Sequence, residues 1–181
     1  MGGADKLAMT VGGTPLLRRT ALAALASGQP VYVALPVVAP KRRALLAGLD
    51  VEILALPEAA EGIGGSIRGG LSALPVCARF MILPADMPLL GADELNLVLQ
   101  AGKIQPDYLA WRGATQAGKP GHPVMLAAAL RPKFMVLKGD IGGGAILRAQ
   151  QKQTCQVPLP GNAALLDLDT PDDWRVFNTQ H

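Results

Sequence analysis

Three short apolar runs, at residues 31–35, 51–56 and 79–84, are separated by segments long enough for a helix. This spacing limits the fold more than any other feature of the chain. Short runs this rich in apolar residues suit strands buried between covering helices. The spacing therefore predicts βαβα units, an α/β class, and a mostly parallel sheet with helices on both faces. Thr14-Pro15 reads as the start of the first helix, with Thr14 as N-cap and Pro15 at the first helical position, ending at Gly28. Further helices are expected over 42–48, 66–74 and 92–100, the last with Asp93 and Glu94 in its first turn.

The second half carries weaker signals. Residues 108–111 and 124–126 read as strands flanking a Gly/Lys/Pro-rich loop at 113–123. Residues 127–137 read as a helix broken in two by Pro132, and 141–153 as a further helix. Short strands are expected at 156–159 and 165–168, and Pro171-Asp172-Asp173-Trp174 opens a terminal helix. Nothing marks a linker or a repeat, so residues 1–181 read as one domain.

Composition narrows the function. Half of the 181 residues are hydrophobic, enough for a sizeable core, while 17% are charged and 4% aromatic. A net charge of +3, a longest basic cluster of Lys41-Arg42-Arg43 and so few rings argue against nucleic acid as a partner. Cys77 and Cys155 fit buried small side chains in a reducing compartment. No signal-peptide pattern and no membrane-length apolar run is evident, so the chain reads as cytoplasmic with no membrane association.

Three constellations could carry chemistry. In Leu83-Pro84-Ala85-Asp86-Met87-Pro88 an apolar run ends in a lone acid. Ligands bind outside the carboxyl ends of the strands in open α/β sheets, so Asp86 reads as a ligand for a hard cation. It reads alternatively as a turn aspartate accepting from backbone amides. Near the C-terminus, Asp167 and Asp169 would share a face of the expected strand at 165–168. They would either supply a second metal carboxylate or cap the next helix. Glu61-Gly62-Ile63-Gly64-Gly65-Ser66-Ile67-Arg68 would let a flat ligand approach the backbone, Ser66 offering a hydroxyl to a base edge. Its plainer reading is a tight strand-to-helix turn. Finally, Met1-Gly2-Gly3-Ala4-Asp5-Lys6-Leu7 places a lysine after glycines, either for phosphate handling or as a solvated side chain.

Taken in order, these segments resemble the molybdenum cofactor cytidylyltransferases. So do Gly13-Thr14-Pro15-Leu16-Leu17, Pro120-Gly121-His122-Pro123-Val124, Gly139-Asp140-Ile141-Gly142 and Leu166-Asp167-Leu168-Asp169-Thr170-Pro171. The resemblance implies a Rossmann-like nucleotidyltransferase fold, a three-layer sandwich around a mostly parallel mixed sheet. It implies transfer of CMP from CTP to Mo-molybdopterin with release of pyrophosphate. On it, Asp86 and Asp169 would hold Mg²⁺, and Lys6 would stabilise phosphate charge. Gly2, Gly3, Lys6, Gly62, Ser66 and Arg68 would bind the nucleotide. Gly121 and His122 would face the pterin, His122 being equally readable as a structural hydrogen-bonding residue. The non-catalytic alternative is a carrier handing the cofactor to an apo-molybdenum hydroxylase; a guanylyltransferase or another NTP transferase of the same fold is the nearer one. Two departures stand out. The family's Leu-Ala-Ala-Gly-x-Ser-x-Arg strand and loop, expected directly before Met-Gly, lies outside the sequence, and Gly144 stands where arginine is usual.

Overall fold

Gly12 and Gly13 set the first turn. Both take positive φ, 57° and 78°, as a two-residue hairpin of the mirror-image type requires. They join β1 (Thr10–Val11) antiparallel to β2 (Thr14–Pro15). Thr14 is thus a strand residue and not the expected cap. Helix α1 (Leu16–Ala26) starts behind Pro15 without a side-chain cap, and its first N–H donates to the Met9 carbonyl. This computed structural model describes residues 5–180, so Gly2 and Gly3 lie outside the described residues.

Beyond the hairpin, β3 (Tyr32–Pro36), α2 (Pro40–Leu45), β4 (Glu52–Leu56) and α3 (Ile63–Ala73) follow in the expected order. β3 and β4 pair in parallel. Next come β5 (Arg79–Ile82), α4 (Ala92–Ile104), β6 (Ala110–Ala114) and β7 (Pro120–Ala127). The chain closes with α5 (Arg131–Phe134), α6 (Gly144–Ala149), β8 (Thr154–Pro158) and α7 (Pro171–Gln180). The second sheet has the order β5-β7-β6-β8.

The expectation of a mostly parallel sheet is corrected here. β7 runs antiparallel to both β5 and β6, and only β6 with β8 adds a parallel pair. The cause is local: β6 and β7 are joined by a five-residue turn closed by the Thr115 N–H to Lys119 carbonyl bond, far too short for a crossover helix. The sheets are small and mostly antiparallel. The helix expected over 141–153 shrinks to α6 and a 3-10 turn at Gln151–Gln153, since Gly142-Gly143-Gly144 disfavours helix at its start. Pro132 divides its segment as anticipated, with a 3-10 turn at Ala128–Leu130 leading into α5.

Two helical layers cover these sheets. On one face of the larger sheet, Trp111, Met125, Cys155 and Val157 pack with Val98 of α4. On the other, Phe80, Ala110, Val124 and Leu126 meet Leu71 of α3, Phe134 of α5 and Leu147 of α6. Leu35 and Ile53 of the smaller sheet pack on Leu17 and Ala21 of α1, while Leu56 lies over Gly69 and Gly70 of α3. Each such fully buried side chain stabilises the fold by about 1.5–3 kcal/mol. α3 therefore spans both sheets, and Ala85, just after β5, joins the α1 cluster. Among the described residues, β3 and β5 each keep one edge without a strand partner. Of the two cysteines, Cys155 is buried and Cys77 only partly so; both are free.

Candidate active site

The strand expected at 165–168 does not form, and its absence shapes the site. The N–H groups of Leu165 and Leu166 both donate to the Asn162 carbonyl, closing a turn; the Leu168 N–H then donates to the Asp86 carbonyl at 3.1 Å. Leu168 is fully buried among Val11, Leu16, Trp174 and Phe177. This buried anchor fixes Asp167 and Asp169 on either side of it, beside the loop that follows β5. The alternation argument for these two acids fails, yet they arrive next to Asp86 by another route.

Lys6 joins the pieces. Its Nζ donates to Asp86 Oδ2 at 2.7 Å and also to Asp169 Oδ1. Lys6 lies in a 3-10 turn (Lys6–Ala8) whose cap is Asp5, accepting from the Leu7 N–H at 3.1 Å. Asp5 is in turn gripped by both Nε and Nη2 of Arg42 on α2, at 2.8 and 3.1 Å. That hydrogen-bonded guanidinium holds the Asp5 carboxyl below the ordinary carboxylate range. Burial works against the charge of Lys6, but the bonds to Asp169 and Asp86 outweigh it and raise its pKa. Asp167 moves the other way: burial, then the Asp169 charge, raises its carboxyl.

Helix capping does not explain Asp169. The start of α7 is satisfied by Thr170 and Asp173: Asp173 Oδ2 accepts from the Asp169 and Thr170 N–H groups, and Thr170 Oγ1 accepts from the Asp173 N–H. This reciprocal pair is a capping box, and it leaves the Asp169 carboxylate to Lys6. Among the described residues no group of three or more His, Cys, Asp or Glu closes into a metal cage. Asp86 and Asp169 nevertheless converge on one cationic centre, the ammonium standing where a cation between them would be. Two carboxylates that leave other positions to water and phosphate suit Mg²⁺ or Mn²⁺.

The glycine-rich segment connects β4 to α3, as its plainer reading as a strand-to-helix turn has it. Gly62 takes φ +109° and opens α3, and a Cβ there would stand 2.1 Å from Asp140 Oδ1. The Gly64 N–H donates to the Gly139 carbonyl at 2.8 Å, so residues 139–141 pack directly on this turn. The Ser66 hydroxyl turns back to the Gly62 carbonyl at 3.2 Å. Arg68 clamps the helix, donating to the Leu137 carbonyl at 2.6 Å and pairing with Glu61 at 2.7 Å.

Gly121 and His122 lie at the start of β7. A Cβ on Gly121 would come within 1.8 Å of the Ala164 carbonyl oxygen, and the His122 N–H donates to that same carbonyl at 2.8 Å. The segment carrying Asp167 and Asp169 is thereby tied to β7. The peptide bond between His122 and Pro123 is cis. His122 Nδ1 is buried without a hydrogen-bond partner. Burial and the nearby Arg112 charge push the imidazole down to about 4, against a smaller opposing pull from Asp86. Arg112, which sequence reading passed over, is half-buried, its pKa lowered by burial and then by Arg148. No motif marked Arg112; it stands beside Gly121 because β6 pairs with β7. Asp5 and Arg42 were visible as residues, but their pairing depends on the fold.

Residues 1–154 match the family described as MobA-like NTP transferase domain. Rv0371c from Mycobacterium tuberculosis H37Rv, solved in complex with manganese, superposes with a TM-score of 0.82 at 20% identity over 97% of this chain and 92% of its own. A nucleotidyl transferase from Methanothermobacter follows with a TM-score of 0.80 at 17% identity, over 98% and 85%. The 4-diphosphocytidyl-2C-methyl-D-erythritol synthase of Anaerococcus prevotii gives 0.71 at 14% identity, over 96% and 92%. No curated protein sequence matches the chain. At these identities the solved structures speak for the fold, an α/β nucleotidyltransferase fold.

Proposed function

This chain belongs to the MobA-like NTP transferase family, and from that premise we propose that it transfers CMP from CTP to Mo-molybdopterin. The observation that carries a transfer reaction is Lys6 held between Asp86 and Asp169. In this reading a terminal phosphate oxygen of the acceptor attacks the α-phosphorus of CTP. The bond to the bridging oxygen breaks, and pyrophosphate leaves. The nucleophile is already anionic, so the protein's work is alignment and charge neutralisation.

Asp86 and Asp169 would hold Mg²⁺, which when bound supplies positive charge to the nucleotide phosphates. Lys6, loosened from the two acids, would carry its ammonium to the α-phosphate or the departing pyrophosphate. Gly62 and Ser66 would line the base pocket, with Arg68 fixing the helix that presents them. Gly121 and His122 would border the acceptor. An apo-molybdenum hydroxylase receiving the product in the cytoplasm completes the proposal; among the described residues no helix is long and apolar enough to cross a membrane.

The test is pyrophosphate release from CTP with Mo-molybdopterin and Mg²⁺. Asp86→Asn is expected to abolish turnover with an unchanged circular dichroism spectrum. Equal turnover in the variant removes Asp86 from the site. Release from GTP instead of CTP redirects the assignment to a guanylyltransferase. Tight cofactor binding without release points to the carrier.

A further inference from the structure

Lys6 reaches its two acids from a short turn with little of its own to hold it. Lys6–Ala8 is a single 3-10 turn. The Ala8 N–H donates to the Asp5 carbonyl at 2.9 Å, and the Met9 N–H makes a longer bond to the Lys6 carbonyl at 3.3 Å. One such turn is not stable by itself in water. Leu7 packs against the clusters that hold Leu168 and Leu17, which anchors the turn at one residue. The Lys6 ammonium rides on a flexible four-carbon stem, so its place depends on how the turn is oriented.

Helix α2 supplies that orientation. Its Arg42 grips both oxygens of Asp5, Nε on Oδ2 at 2.8 Å and Nη2 on Oδ1 at 3.1 Å, while Oδ1 also accepts from the Leu7 N–H. A guanidinium fork on a carboxylate fixes direction as well as distance. Of the successive bases Lys41, Arg42 and Arg43, only Arg42 makes an ion pair among the described residues. α2 is itself anchored apart from this contact. Buried Leu46 joins Leu17, Ala21 and Leu35, and Arg18 of α1 donates to the Leu45 and Ala47 carbonyls at 3.0 and 2.9 Å. α1 therefore holds α2, Arg42 of α2 holds Asp5, and Asp5 caps the turn that carries Lys6.

We propose that Arg42 is a positioning residue, which through Asp5 holds the Lys6 ammonium between Asp86 and Asp169. That this hold serves phosphate chemistry rests on the transferase reading; the hold itself does not. The test is a double-mutant cycle on Mn²⁺ affinity, measured by calorimetry on the full chain. Arg42→Met is expected to shift the affinity about threefold or more, in the direction in which Lys6→Met shifts it. In a Lys6→Met background the same substitution should change nothing, because no ammonium is left to misplace. Asp5→Asn breaks the clamp from its other side and should reproduce the Arg42→Met shift. Arg42→Lys keeps the charge without the fork and should recover only part of it. Leu46 and Arg18 still anchor α2 in every variant, so the fold is kept. An equal Arg42→Met shift in both backgrounds overturns the proposal, since a general structural role would give that result. No shift in either background, or no Mn²⁺ binding by any form, overturns it as well. On the transferase reading, Arg42→Met should also lower kcat for pyrophosphate release by a larger factor than it raises KM for CTP. If the cycle comes out as expected but no nucleotide is turned over, Arg42 keeps its role and the transferase reading fails.

Discussion

Acid should destabilise this protein through His122. The imidazole titrates at about 4 in the fold against 6.5 ordinarily, first because it is buried and then because Arg112 opposes its charge. The unfolded chain therefore takes up a proton below pH 6.5 that the folded chain resists until about pH 4. A group depressed in this way contributes its full stability above the unfolded pKa and loses it as the pH falls toward the folded one. The whole gap corresponds to about 3 kcal/mol, of which about 2 kcal/mol is gone by pH 5. Between pH 7 and 5 the raised Asp167 carboxyl acts alike in wild type and His122→Gln, so the difference between the two reports His122. Asp5 and Asp173 sit below the ordinary carboxylate range, held there by hydrogen bonds from Arg42 and Thr170 respectively, so their stabilisation is lost only in stronger acid. Urea unfolding at pH 7 and pH 5 gives the measurement, with His122→Gln as the control. Wild type should lose about 2 kcal/mol between the two pH values and the variant should lose little. Arg112→Gln should raise the His122 midpoint without restoring it to 6.5, because burial is the larger cause. Equal losses in wild type and His122→Gln would refute the reasoning.

Three further outcomes follow from the site. Lys6→Met leaves Asp86 and Asp169 facing each other without their shared ammonium, so Mn²⁺ should raise the thermal midpoint more in this variant than in wild type while pyrophosphate release falls. Gly121→Ala drives a Cβ to 1.8 Å from a backbone oxygen and should cost about 2 kcal/mol or more in urea unfolding. Thr170→Ala opens the capping box at α7 and should cost about 1 kcal/mol, with a weaker Mn²⁺ response because Asp169 loses its support.

The alternation of strand and helix was legible because it depends on local patterning. Tyr32–Pro36, Glu52–Leu56 and Arg79–Ile82 match the apolar-rich runs at 31–35, 51–56 and 79–84 to within one or two residues. Direction was not legible in the second half. The run at 124–126 marks only the aliphatic part of β7, and the strand begins at Pro120, where two prolines and a glycine hide it. A hairpin was needed to reverse it, and the turn at Thr115–Lys119 carries no compact signature. Residues 165–168 show the opposite error. Their alternating Leu and Asp matched a strand, but Leu168 is buried by helices and not by a ladder. Alternation there reports one anchored leucine between two solvent-directed acids. Gly12-Gly13 was a missed hairpin for a simpler reason: the flanking strands are two residues each, too short for any periodicity.

Lys6 and the two acids come from three distant parts of the chain, and each arrives by a separate device. The Asp5–Arg42 pair fixes the turn that carries Lys6. β5 and the Leu168-to-Asp86 backbone bond fix the loop that carries Asp86. The Thr170–Asp173 box and buried Leu168 fix Asp169. Asp86 and Asp169 repel unless a positive charge lies between them, and Lys6 supplies that charge. On the proposed function a divalent cation would satisfy the same requirement with oxygen ligands and leave the ammonium free to meet phosphate. The lysine and the cation would then be alternatives for one electrostatic position. Lys6→Met and Asp86→Asn should move metal affinity in opposite directions. A Mn²⁺ affinity that falls in both would show that Lys6 supports the metal site and does not compete for it.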